Sequence, residues 1–202
     1  MKEHPILFSG EMVRAILEGR KTQTRRVIKP QPPEGSWWDA ESGLFHLAGS
    51  KLGVMRHCPY GVPGDHLWVR ETHHIDHYPA ETLDAQGNPG TVHYRADTDI
   101  ISQSWDGQWR LSIFMPRWAS RITLLVTGVR VEQVQDISED DARAEGIPLV
   151  NGHYPDYENP GNRWDTPGAS FISLWDSINR KRGYSWQSNP WVWAVTFEVL
   201  KQ

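Results

Sequence analysis

The chain has 202 residues, 38% hydrophobic and 23% charged, enough apolar material for a buried core and too little net charge for a disordered tail. Its 21 basic and 25 acidic residues leave a net charge of −4, so no whole-molecule field draws it onto nucleic acid, and its one cysteine, Cys58, excludes an internal disulfide or a thiolate zinc cluster. No apolar run approaches the roughly 20 residues of a membrane span, and the first ten residues lack the apolar stretch of a signal peptide; a cytoplasmic protein with no membrane partner is expected.

Ser9 reads as the N-cap of a short first helix, with Val13, Ile16 and Leu17 on one face and Gly19 as its left-handed end. A strand over Thr24–Ile28 follows and is ended by Pro30. Residues 30–63, rich in Pro, Gly, Ser and Trp, read as a surface excursion. The turn Pro63-Gly64-Asp65 leads into a strand over Leu67–Glu71. A second excursion covers 76–108, with a short hairpin arm at Thr91–Arg95. Three strand-like runs come next: Leu111–Phe114, Ser120–Thr127 and Val129–Gln135. Ser138 caps a short helix that runs to Glu145 ahead of Gly146. After another loop at 147–168, Phe171, Leu174, Trp175 and Ile178 mark one helical face. Trp191–Leu200 closes the chain as a strand with Trp193, Val195, Phe197 and Val199 turned to a core. Five or six strands, three short helices and no alternating β-α units predict an α+β fold, a small mixed β-barrel with long insertions rather than a doubly wound sheet.

Charge is uneven along the chain. Arg14 to Lys29 holds six bases against Glu18 alone, and Glu132 to Glu145 holds six acids against Arg143 alone. The basic segment either meets phosphate or pairs with the acidic one.

The segment Leu17-Glu-Gly-Arg-Lys-Thr-Gln-Thr-Arg-Arg26 is the densest in chemistry. Its pattern Gly19-x-Lys21-x-x-x-x-Arg26 resembles the motif of the ASCH family, a branch of the PUA-like barrels. The resemblance extends to the opening helix, the Pro63-Gly64-Asp65 strand entry, the Val131–Glu145 strand and helix, and the final strand with Asn189-Pro-Trp-Val-Trp193. It implies a single ASCH domain over 1–202 with insertions at about 30–60, 76–108 and 147–168, of the long Trp-rich kind found in bacteria and their phages. It also implies a cleft that takes a modified nucleoside, RNA or other single-stranded nucleic acid, and needs no cofactor. One bacterial member is an amidohydrolase that removes the acetyl group of N(4)-acetylcytidine, with a Lys, a Thr three residues later and a Glu at the end of the later helix; Lys21, Thr24 and Glu145 stand at the matching places. Another member has been described as a ribonuclease. Hydrolysis of an acyl-amide on a modified cytosine nucleoside is therefore the first expectation, with a non-catalytic RNA or modified-base binding module, or a ribonuclease, as alternatives.

The residues allow this chemistry on their own terms. A threonine hydroxyl needs an adjacent base, and a lysine serves if burial or neighbouring cations such as Arg20, Arg25 and Arg26 lower its pKa. The negative end of the helix disfavours a carboxylate at Glu145 and suits a general acid. Residues three apart on a straight strand face opposite ways, so Lys21 and Thr24 converge only if the chain still turns between them. The plainer alternatives are a Lys21–Glu145 salt bridge and a strand role for Thr24. Gly19, Arg20, Arg25, Arg26, Arg117 and Arg121 are expected at the nucleic-acid-binding rim, with Glu71 facing the same cleft. Trp118 beside Arg117 either stacks on a base or seals the barrel end. His73, His74, Asp76 and His77 have no helix to give one-face chelation, so no metal is expected. The remaining tryptophans read as packing.

Overall fold

The computed structural model describes residues 1–39, 41, 44–46, 48, 57–77, 83, 87–88, 90–97 and 108–200. A strand, β1 (Glu3–Leu7), precedes the expected first helix, α1 (Gly10–Leu17). Next come β2 (Gln23–Val27), a small pair β3 (Trp37–Asp39) and β4 (Leu44–His46), and β5 (His66–Arg70). A second pair, β6 (His73–His77) and β7 (Gly90–Tyr94), is followed by the long β8 (Thr123–Gln133) and α2 (Glu139–Ala144). The two-residue β9 (Tyr154–Pro155) and β10 (Arg163–Trp164), then α3 (Pro167–Asn179) and β11 (Trp191–Leu200), complete the order.

Five strands form the main sheet in the order β1-β5-β8-β11-β2, with β1 parallel to β5 and the other pairs antiparallel. The sheet is open, which corrects the expected closed barrel. Its edges, β1 and β2, are linked not by a backbone ladder but by a side chain, because the Arg26 guanidinium donates to the Leu7 carbonyl at 2.6 Å. Two other strand expectations change. The runs at 120–127 and 129–135 fuse into the single β8, paired along its length with β11. Leu111–Phe114 gives a 3-10 turn over Ser112–Phe114 instead of a strand, with Leu111, Ile113 and Phe114 exposed; Pro116 behind it lacks the N–H that a ladder needs. Much of the excursions expected at 30–60 and 76–108 lies outside the described residues, although the expected arm at 91–95 is present as β7 on β6.

Alternation along β11 supplies two packed faces. Trp193, Val195 and Phe197 join Ile6, Leu67, Val69, Leu124 and Val126 under Val13 and Ile16 of α1. Val192, facing the other way, joins Phe171 and Trp175 of α3 with Ala142 of α2. Val199 is exposed instead of reaching the core. No helix of the described residues is long and apolar enough to cross a membrane.

Candidate functional site

The site is built where two helix ends meet. Ser9 caps α1 by accepting from the Met12 N–H, and Gly19 ends it with a φ of +74°, a conformation that favours glycine. The chain then doubles back, and the Arg20 and Lys21 N–H groups both donate to the Ala15 carbonyl at 2.9 Å. At the other end, Ser138 caps α2 by accepting from the Asp141 N–H, and Glu145 is its C-cap. The Thr22 N–H donates to the Ala144 carbonyl at 2.9 Å, which ties the two turns together. Gly146, with a φ of +92°, completes the junction: a Cβ there would lie 2.9 Å from the Lys21 Cβ.

This junction turns Lys21 inward. The residue is 1% exposed, and its Nζ donates to the Gln23 carbonyl at 2.9 Å, the Glu145 carbonyl at 2.7 Å and Glu145 Oε2 at 2.7 Å. All three ammonium hydrogens are thereby satisfied. Burial pushes the Lys21 pKa below its ordinary value, while the attraction of Glu145 works the other way. Glu145 also accepts from Arg25 Nη1 at 3.3 Å. Glu145 thus faces two cations, Lys21 and Arg25, which only the tertiary contact brings together.

Lys21 stands two residues before β2, in a bridge to Glu145, and its Nζ is directed to Gln23 and Glu145 rather than to Thr24. Thr24 is 2% exposed, paired with Val195 across β11. Thr24 and Glu145 line one cavity of about 880 Å³, whose walls include Phe8, Tyr60, Phe171, Trp175 and Trp193. Lys21 does not line it and reaches it through Glu145. A second cavity of about 530 Å³ lies beyond Ser9, Met12, Leu174 and Ile178, which line both, as Glu145 does.

The expected rim residues separate into two groups. Arg25 and Arg26 line the larger cavity. Arg25 is spent on carboxylates, however: it holds Glu132 through Nε at 2.7 Å and Asp141 through Nη2 at 2.9 Å. For Arg25, then, the basic segment does pair with the acidic one. Arg20 donates to Glu18 and to the Gly146 carbonyl at the second cavity. Gly19 shapes the turn and lines neither cavity. The remaining four also line neither. Arg117 forms a two-pronged pair with Glu3 at 2.8 and 2.9 Å. Trp118 packs against Ile75, Met115 and Ala119. Arg121 holds both oxygens of Glu71, at 2.9 and 3.1 Å, and both of Asp97. Burial raises the Glu71 pKa, against the pull of Arg121. His73 and His77 sit four apart on the strand β6, without the helical spacing that one-face chelation requires.

Lys29, the end of the basic segment, and Arg182, which no sequence pattern marked, also line the larger cavity. Lys29 follows β2, and Arg182 ends the 3-10 turn Arg180–Arg182 after α3.

No protein-family model and no curated protein matches the sequence. Structural neighbours are a DUF984-family protein from Enterococcus faecalis and an ASCH domain from Lactobacillus crispatus. The first has a TM-score of 0.41 and 13% identity, over 99% of this chain and 81% of that one. The second has a TM-score of 0.41 and 12% identity, over 98% of this chain and 79% of that one.

Proposed function

We propose that the larger cavity binds a modified cytosine nucleoside or a related base and hydrolyses an amide on it, with Thr24 as nucleophile, Lys21 as base and Glu145 as acid. The observation that carries this reading is that Thr24 and Glu145 share one cavity while Lys21 Nζ lies 2.7 Å from Glu145 Oε2. The aromatic walls suit a flat base, and the motif resemblance implies the same three residues.

In this mechanism the proton first crosses from Lys21 to Glu145 Oε2, a transfer that the lysine's burial favours. The free amine takes the Thr24 hydroxyl proton as the oxygen attacks the acyl carbon. The C–N bond breaks, the leaving exocyclic nitrogen takes the proton from Glu145, and the acyl group stays on Thr24 as an ester. The proton crosses again from Lys21 to Glu145; the amine then takes a proton from the attacking water, and Glu145 returns one to the Thr24 oxygen. The pair ends as it began.

A second reading, binding without chemistry, draws on the saturated Lys21 ammonium, whose three acceptors describe a finished structural bridge. Incubating the purified protein with N(4)-acetylcytidine and separating the products distinguishes the two. Release of cytidine and acetate in equal amounts supports hydrolysis; measurable binding with the ligand recovered intact supports the module and overturns the enzyme.

A further inference from the structure

We propose that Arg26, Lys29 and Arg182 form a phosphate subsite at one end of the larger cavity, so that the preferred ligand is a nucleotide, with a phosphate on its sugar, rather than the free nucleoside. The inference rests on the nucleoside reading of the cavity given above and adds a substrate class to it.

Many of the arginines are paired with acids. Arg20, Arg25, Arg117, Arg121, Arg130, Arg143 and Arg180 each hold a carboxylate. Among the cations lining the cavity, Arg25 alone does so; among the described residues no carboxylate pairs with Arg26, Lys29 or Arg182. Arg26 donates to a backbone carbonyl and lies over the Phe8 ring at 5.0 Å. Lys29 lies over the Tyr184 ring at 5.2 Å. Among the described residues the one acid lining this cavity, Glu145, is already held by Lys21 and Arg25. In a chain of net charge −4, three cations with no carboxylate partner among the described residues line this one cavity.

They also come from two walls. Arg26 and Lys29 belong to β2 and its continuation, whereas Arg182 belongs to the turn after α3. The negative end of α3 accounts for a cation at Arg182 but not for the other two. Burial lowers the Arg26 pKa, and the nearby Arg182 adds to the lowering against Tyr60 and Glu145. An anion between the walls would relieve that repulsion, and guanidinium with ammonium is the donor set that phosphate oxygens accept.

The subsite borders the residues proposed for the chemistry, since Thr24 and Arg26 line the same cavity. Thr24 and Arg26 are two apart on β2 and so share a face. Lys21 Nζ and the Arg26 guanidinium lie 5.6 and 5.0 Å from the same Phe8 ring, so the combined path, about 11 Å, bounds their separation.

Calorimetric titration of the full chain with cytidine, cytidine 5′-monophosphate, a short oligocytidylate and inorganic phosphate tests this. The monophosphate is expected to bind about tenfold or more tighter than cytidine, the worth of one charge-assisted hydrogen bond, and the advantage should shrink with salt. In Lys29→Gln/Arg182→Gln the ratio should fall to about one, while Lys181→Gln, at an exposed lysine outside the cavity, should keep it. Equal affinity for cytidine and its monophosphate, or a ratio that survives the double substitution, overturns the proposal. Preference for the oligocytidylate over the monophosphate assigns the subsite to a phosphodiester of a strand and overturns the mononucleotide assignment. Phosphate binding that the double substitution abolishes, without cytidine binding, keeps the anion subsite and overturns the nucleoside reading instead. No binding by any of the four overturns both.

Discussion

Lys21 sits where burial and attraction oppose each other, and its surroundings can be read through its protons. Removing the partner while keeping the shape, Glu145→Gln, leaves an ammonium 1% exposed with Arg25 and Arg26 nearby and less negative charge to balance it. Breaking one side of a buried pair costs about 3–5 kcal/mol, so this variant is expected to unfold at a markedly lower urea concentration. The pH dependence has a definite sign. Burial holds the folded-state pKa of Lys21 below its ordinary value of 10.5, so between the two values the unfolded chain binds more protons. Stability should therefore rise with pH across that interval. Lys21→Met removes this component, and the difference between the two stability curves isolates it from Cys58 and Tyr157, whose pKa values burial raises to about 12. A flat difference curve would mean that Lys21 is not desolvated in the folded chain.

At the scale of elements, the junction of α1 and α2 decides whether the three residues meet, and its two glycines should respond differently to a side chain. Gly19→Ala meets nothing within 4 Å and bears only the left-handed backbone penalty, about 1–2 kcal/mol. Gly146→Ala bears the same penalty and in addition drives a Cβ to 2.9 Å from the Lys21 Cβ and 3.0 Å from that of Ala15. Its loss of stability in urea should exceed that of Gly19→Ala; equal losses would mean that the junction has room to relax. The caps and ends of these helices were legible because Ser9, Gly19, Ser138 and Gly146 act within a few residues of themselves. β1 was not: it carries Pro5, buries mainly Ile6, and exists because β5, some sixty residues later, offers a parallel partner. The open sheet was hidden for a similar reason, since closure depends on whether β1 and β2 pair, and Arg26 with Phe8 fills that end instead. Lys21, Thr24 and Glu145 could be named from a local motif and a helix end. Lys29 was legible only as the end of a basic segment and Arg182 not at all, because which cations keep no carboxylate is decided after their neighbours have taken theirs, as Arg25 takes Glu132 and Asp141 and Arg180 takes Asp176 and Glu158.

Over the whole molecule, a net charge of −4 surrounds a cavity lined by cations, so association should owe little to long-range steering and much to the cavity itself. Added salt is then expected to weaken phosphate-bearing ligands while leaving an uncharged nucleoside almost unaffected. Whether Lys21, Thr24 and Glu145 act as a unit on an amide is decided by comparing turnover of N(4)-acetylcytidine by the native chain, Thr24→Ala and Glu145→Gln, each shown to be folded by circular dichroism. Metal-independent release of cytidine is expected from the native chain, with near-complete loss in Thr24→Ala and in Glu145→Gln alike, because the nucleophile, its base and the carboxylate that takes the base's proton fail together. Undiminished turnover in Thr24→Ala, or none by the folded native chain with any acylated cytidine, would contradict that joint role.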